Sequence, residues 1–176
     1  MDGESRTYKS QMKKGLILGR FQPLHLGHLN VIQEVIKEKL EPIICIGSSQ
    51  KGNTLNNPFT SLERKSMIKI IMDKLDVKYE IHEIPDINDY GKYVSHLEKF
   101  VPDFDFVYSG NLLVQKLFKE AGHCVLIPRF VNREVWEGSA IRQAMLEEDE
   151  WESAVPPQIV NYIHNLNGTE RLKNIS

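Results

Sequence analysis

The amino-acid sequence predicts an α/β fold, a parallel sheet of about five strands with helices on both faces. Three observations carry that expectation. Short apolar runs alternate with longer amphipathic stretches along the chain, the pattern of repeated strand–helix–strand crossovers. The runs Leu16-Ile17-Leu18 and Ile43-Ile44-Cys45-Ile46 are apolar at consecutive positions, as strands covered on both sides must be. At 176 residues, 41% apolar and 26% charged, the chain has the size and composition of one globular domain with a sizeable core.

Taken in order, strands are expected over 15–19, 42–47, 78–84, 104–109 and 124–127, and helices over 27–40, 61–75, 91–100, 112–121, 140–147 and 156–165. Thr60-Ser61-Leu62-Glu63 has the form of a capping box, in which hydroxyl and carboxylate each satisfy a free backbone N–H, and it sets the start of the second helix. Residues 48–57, rich in Ser, Gly and Asn, read as a mobile loop. Residues 1–14 are polar and are expected to form a disordered extension, with Met12 an alternative start, leaving 15–176 as a single domain.

Composition narrows the function. A formal net charge of −2 offers no general attraction to nucleic acid, so any anion site must be local. No apolar run approaches the roughly 18 residues of a membrane span, and the N-terminal segment lacks the apolar stretch of a signal peptide. Cys45 and Cys124 each sit in an apolar run and read as buried free thiols, which fits a reducing, cytoplasmic setting.

The most informative segment is Gly19-Arg20-Phe21-Gln22-Pro23-Leu24-His25-Leu26-Gly27-His28, lying between an apolar run and an amphipathic stretch. Loops that leave a buried strand and open onto a helix N-terminus are where α/β proteins hold phosphates. His25 and His28 can turn two ring N–H groups towards one phosphate chain, and Arg20 adds a fixed positive charge. Helix capping competes with that role for the histidines. A metal pair needs at least one further ligand, and His82, His96, His123 and His164 have no supporting spacing. Gly138-Ser139 at a helix start, with Ser139 available as a cap, brings Arg142 forward as a phosphate ligand, against a solvated helix-face arginine. Ser109-Gly110-Asn111 ends one strand and opens the next helix, where Asn111 can serve as N-cap and Gly110 permits close backbone approach.

These motifs together resemble the nucleotidyltransferase superfamily related to class I aminoacyl-tRNA synthetases, and within it the archaeal-type nicotinamide mononucleotide adenylyltransferases. The resemblance runs from about Gly15 to Ile175. Supporting segments are Ile46-Gly47-Ser48, Asn57-Pro58-Phe59-Thr60 with Glu63-Arg64, Val107-Tyr108-Ser109-Gly110-Asn111, Phe130-Val131-Asn132-Arg133, Gly138-Ser139-Ala140-Ile141-Arg142 and Asn167-Gly168-Thr169-Glu170-Arg171.

The resemblance implies a Rossmann-like nucleotidyltransferase fold with a His-x-Gly-His motif, and formation of NAD and pyrophosphate from ATP and nicotinamide mononucleotide. It implies His25, His28, Arg20 and Arg142 as catalytic residues. ATP is then bound by Gly19, Arg20, Phe21, Gln22, His25, His28, Ser109, Gly110, Asn111, Ser139 and Arg142. Tyr93 stacks on the nicotinamide ring, with a core-facing helix residue as its competing reading, and Arg133 meets the mononucleotide phosphate or an acidic neighbour. Magnesium is implied as the ion held mainly by the ATP phosphates, with no protein-held metal. Nucleic acid and membrane are not implied as partners. A homo-oligomer, a hexamer, is.

Two departures from the family pattern stand out. Glu137 precedes Gly138-Ser139 where a serine is usual, which sets a carboxylate beside the triphosphate. Asn56-Asn57 replaces a segment that commonly carries an arginine, which makes Lys51 a candidate substitute cation. The alternatives are another nucleotidyltransferase on the same frame, acting on a flavin, pantetheine or polyol phosphate, and a nucleotide-binding sensor without turnover.

Overall fold

The computed structural model describes residues 12–129 and 136–176. Five parallel strands, β1 (Lys14–Gly19), β2 (Glu41–Ile46), β3 (Glu80–Glu83), β4 (Phe106–Tyr108) and β5 (Val125–Leu126), form one sheet in the order β3-β2-β1-β4-β5. The helices are α1 (Leu26–Lys37), α2 (Ser61–Met72), α3 (Tyr93–Leu97), α4 (Leu112–Glu120), α5 (Gly138–Glu147), α6 (Pro157–Asn165) and α7 (Gly168–Asn174).

The consecutive apolar runs bury both faces of the sheet because side chains alternate along a strand. Ile17, Ile44, Ile46 and Tyr108 join α1, α2, α5, α6 and α7 in one cluster. Their neighbours Leu16, Ile43, Cys45 and Val107 pack with Val94 and Leu97 of α3 and Phe118 of α4 on the other side. Strand order reverses between β1 and β4, so the loops leaving those strands diverge to opposite faces and open a crevice at their carboxyl ends.

The structure adjusts several boundaries. Lys14, placed by sequence in the N-terminal extension, begins β1, where its backbone N–H donates to the Asp105 carboxylate at 2.8 Å; residues 1–11 lie outside those described. Helix α1 stops at Lys37 because Lys39 takes a left-handed φ of 57°. The segment expected to be helical over 91–100 starts as a 3₁₀ turn, Tyr90–Lys92, and continues as the short α3. Helix α7 has no counterpart among the expected elements. It follows Asn167 at a left-handed φ of 49° and buries only Gly168 and Leu172, too little for an apolar period to register in the sequence. Cys45 is buried as expected, but Cys124 is exposed, because the two-residue β5 forms an edge of the sheet.

The 48–57 segment, expected to be mobile, is tied down. Asp86 accepts from Ser48 Oγ at 3.0 Å, pairs with Lys51 Nζ at 2.8 Å, and donates its backbone N–H to Gln50 Oε1 at 3.0 Å. Ser49 N–H adds a bond to the Ile84 carbonyl at 3.1 Å. The Ser- and Asn-rich composition here supplies turn hydrogen bonds.

Candidate active site

The loop leaving β1 reaches α1 through Gln22-Pro23, a cis peptide, and His25 becomes the helix N-cap. The two histidines cap each other. His28 N–H donates to His25 Nδ1 at 3.4 Å and His25 N–H donates to His28 Nδ1 at 3.3 Å, a capping box made of two imidazoles. Their rings stack with centroids 3.8 Å apart, and Phe21 backs His28 at 4.3 Å.

This arrangement sets the protonation of both rings. An Nδ1 that accepts a backbone N–H carries no proton, so each ring is a neutral imidazole with its proton on Nε2. Burial pushes His25 down to about 4, with the nearby Arg142 charge adding to the shift. Burial, then the His25 charge, holds His28 well below the ordinary histidine range. His28 Nε2 lies 3.0 Å from the point where a side chain on Gly19 would begin, so glycine at that strand end leaves the donor open.

Capping leaves Nε2–H of each ring available to donate, because it uses the other ring nitrogen. A cleft of about 220 Å³ is lined by His25, His28, Tyr108, Ser109, Gly110, Asn111, Trp136 and Glu137, with Ile17, Leu18, Gly27 and Val31 beneath. The topological switch between β1 and β4 thus brings the histidines to the Ser109-Gly110-Asn111 turn. There Asn111 Oδ1 caps α4 by accepting from Leu113 and Val114 N–H at 2.9 and 3.2 Å, while Gln115 Nε2 holds the Ser109 carbonyl at 3.0 Å.

Arg142 is buried rather than solvated, and its Nη1 donates to the Gln22 carbonyl at 2.8 Å. Burial and then the charge of Arg20 hold its pKa below the ordinary guanidinium value. Arg20 itself is exposed. Two guanidinium groups that feel each other, beside two imidazole donors, form a field made for a polyanion. Ser139 does not cap α5; Glu137 is the N-cap residue, it makes no side-chain cap bond, and Ser139 is exposed on the first turn. Phe21 and Gln22 are 0% and 2% exposed, so their side chains build the loop. Gln22 uses both ends of its amide on one residue, accepting from Phe59 N–H at 2.9 Å and donating to the Phe59 carbonyl at 2.7 Å.

A family profile described as cytidylyltransferase-like matches residues 16–144. Similar full-length sequences are nicotinamide-nucleotide adenylyltransferases from Methanococcus aeolicus, 40% identical over 93% of this chain and 95% of the relative, and from Pyrococcus horikoshii, 39% identical over 94% and 90%. The chain belongs to this adenylyltransferase family. A crystal structure of a bifunctional NMN adenylyltransferase/ADP ribose pyrophosphatase from Francisella tularensis, complexed with AMP and a manganese ion, superposes with a TM-score of 0.73 at 17% identity and shares the fold. That match covers 94% of this chain, which spans about half, 52%, of the larger protein.

Of the remaining residues that the family pattern points to, Tyr93 stands apart from the histidine cleft. Its ring meets Phe118 edge-on at 6.4 Å, packing towards the core on the α3–α4 side, and burial raises its hydroxyl pKa to about 12. Arg133 lies outside the described residues, as does all of 130–135. Lys51, the candidate substitute cation, is committed to Asp86. Sequence reasoning did not single out Trp136, which lines the cleft, or the role of Arg64, the largest fully buried side chain. Arg64 carried a readable signal. It sits at the first position of an i, i+3, i+4, i+7 stripe whose other members, Met67, Ile68 and Ile71, are apolar and buried.

Proposed function

We propose that the chain transfers the adenylyl group of ATP to nicotinamide mononucleotide, giving NAD and pyrophosphate, with ATP in the crevice between the loops leaving β1 and β4. The observation that carries this reading is the pair of neutral imidazoles whose Nδ1 atoms are both occupied by backbone N–H, leaving two Nε2–H donors beside Arg142. A phosphate oxygen of the mononucleotide attacks the α-phosphorus of ATP as the bond to the bridging oxygen of the β-phosphate breaks, and pyrophosphate leaves with that oxygen. The attacking phosphate is already anionic near neutral pH, so the step needs no protein base. Catalysis then consists of holding two polyanions in line and neutralising charge on the leaving group.

His25 and His28 donate to the triphosphate without carrying charge, and Arg142 and Arg20 supply fixed charge. Ser109, Gly110, Asn111 and Trp136 lie on the nucleoside side. Ser139 and Gly19 contribute backbone at the two loop ends, while Gln22 and Phe21 hold the loop that carries the donors. Magnesium is assigned as an ion that enters with ATP, held mainly by its phosphates. Arg133 and Tyr93 are assigned to the mononucleotide. Among the described residues no helix is long and apolar enough to cross a membrane. We also assign a cytoplasmic, homohexameric enzyme; the edge strand β5, with Leu126 and Ile127 exposed, suits subunit contact.

Incubation with ATP, magnesium and nicotinamide mononucleotide, followed by alcohol dehydrogenase coupling, tests the activity directly. NAD formation supports it. Pyrophosphate release only with a flavin, pantetheine or polyol phosphate would reassign the second substrate, and ATP binding without release on any of them would make the protein a sensor.

A further inference from the structure

We infer that Arg64 is a positioning residue for the reaction, holding the two strand-end loops in the backbone conformation that makes the crevice attractive to a triphosphate. Its side chain is 0% exposed and its guanidinium makes no ion pair among the described residues. Every N–H is instead spent on main-chain carbonyls. Nη1 donates to Arg20 at 3.0 Å and Gly47 at 2.8 Å; Nη2 to Ser48 at 3.1 Å and Lys51 at 3.0 Å, with Ser49 at 3.5 Å; Nε to Thr60 at 3.3 Å. The five donors of an arginine are therefore consumed by the loop leaving β1, the loop leaving β2 and the start of α2.

Two consequences follow for a polyanion site. Carbonyl oxygens turned into the crevice would repel phosphate, and Arg64 turns those of Arg20, Gly47, Ser48 and Lys51 towards itself. The same loops contain Phe21 at φ 53° and Ser48 at φ 50°, left-handed conformations that side-chain-bearing residues adopt only at a cost. In both cases the carbonyl just before the strained residue is held by Arg64 Nη1. Arg20 is thereby fixed at its own backbone while its side chain stays exposed. Burial, opposed by the charges of Glu83 and Asp86 and aided by that of Arg20, brings the Arg64 pKa down to about 10, so the group keeps its charge near neutral pH.

The inference rests on ATP being the ligand, and the experiment separates the two. Arg64→Ala and Arg64→Lys are compared with Met67→Ala, a buried residue on the same helix that touches neither loop through hydrogen bonds. ATP affinity is read by calorimetry without the second substrate, KM for each substrate by steady-state rates, and stability by thermal unfolding. Both Arg64 variants are expected to weaken ATP binding and raise its KM by roughly tenfold or more. Lysine fails because one ammonium offers three N–H groups where the guanidinium offers five. Guanidinium ion at millimolar concentration should partly restore Arg64→Ala, and an equal concentration of urea should not. Met67→Ala should lower Tm and leave both KM values unchanged. Wild-type ATP affinity and KM in either folded Arg64 variant would overturn the role, as would loss confined to Tm. If neither variant folds, the guanidinium is a requirement of folding and the positioning role is overturned too. Wild-type protein that binds ATP but makes no NAD would count against the reaction alone.

Discussion

Arg142 Nη1 donates to the Gln22 carbonyl at 2.8 Å across 120 residues of sequence, joining the late helix arginine to the loop that carries both histidines. Glycine at the start of α5 eases the approach, since a side chain on Gly138 would begin 3.2 Å from Arg142 Nη1 and 3.3 Å from the Gln22 carbonyl. Gln22 is the pivot of this junction. Its carbonyl receives the arginine and its amide clamps both backbone groups of Phe59.

Replacing Gln22 by alanine removes that clamp and leaves a buried N–H and a buried carbonyl of Phe59 without partners. The expected cost is about 2–4 kcal/mol of stability, from one to a few kcal/mol per orphaned group. Urea unfolding of wild type and Gln22→Ala measures it. A difference within about 0.5 kcal/mol would mean that water replaces the amide and that the clamp is dispensable.

The histidines should separate by nitrogen. His28→Ala removes an Nε2–H donor and is expected to lower kcat by roughly two orders of magnitude, the scale of losing one preorganised donor. His25→Ala also deletes the N-cap of α1 and should cost about 1 kcal/mol of stability beyond its effect on rate. Steady-state rates on variants with unaltered circular dichroism check both; wild-type turnover in each would remove the proposed donors.

The depressed histidine pKa values predict how stability depends on pH. In the unfolded chain each imidazole binds its proton near 6.5, whereas folded His25 binds one only near 4 and folded His28 only well below 6.5. The unfolded state therefore takes up protons first, so stability is complete above about 6.5 and declines as pH falls towards about 4. For His25 alone the loss between about pH 7 and pH 5 should be about 2 kcal/mol, and His28 adds to it in the same direction. Glu63, Glu80 and Asp86, with carboxylate pKa values lowered mainly by their partners Arg171, Lys14 and Lys51, lose their contributions only in more acidic solution. Urea titrations across this range settle the point. A flat profile between about 7 and 5 would contradict two rings held neutral in the folded protein.

Much of this architecture was legible because the sheet is covered on both faces. Leu16-Ile17-Leu18 and Ile43-Ile44-Cys45-Ile46 each send alternate residues into separate cores, which a run of apolar letters already implies. The Thr60–Glu63 capping box also appears as read, with Glu63 N–H to Thr60 Oγ1 at 3.3 Å and Thr60 N–H to Glu63 Oε2 at 2.8 Å. What the sequence hid was pairing between distant segments. Nothing in the letters says that Gln22 turns to Phe59, that Asp86 fastens Lys51, or that the guanidinium of Arg64, whose stripe position is readable, spends its N–H groups on backbone carbonyls. Such contacts depend on the approach of loops, and loop composition reports turn-forming tendency rather than partner.

Tyr93 tests the division between packing and recognition. Its ring is half-buried against Phe118, and the hydroxyl stays protonated, raised to about 12 by burial and then by the charges of Cys45 and Asp86. Tyr93→Phe keeps the flat ring and should leave Tm unchanged and the KM for the mononucleotide within about twofold of wild type. Tyr93→Ala should lower stability by about 2–4 kcal/mol as a partly buried aromatic is lost, and should also raise the KM for the mononucleotide while leaving that for ATP unchanged. Tyr93 lies on the α3–α4 side of the sheet and does not line the histidine cleft, so its substitution is not expected to touch the KM for ATP. A lower Tm with an unaltered mononucleotide KM would make the ring a core residue only, and an effect confined to ATP would put Tyr93 in the wrong half of the crevice.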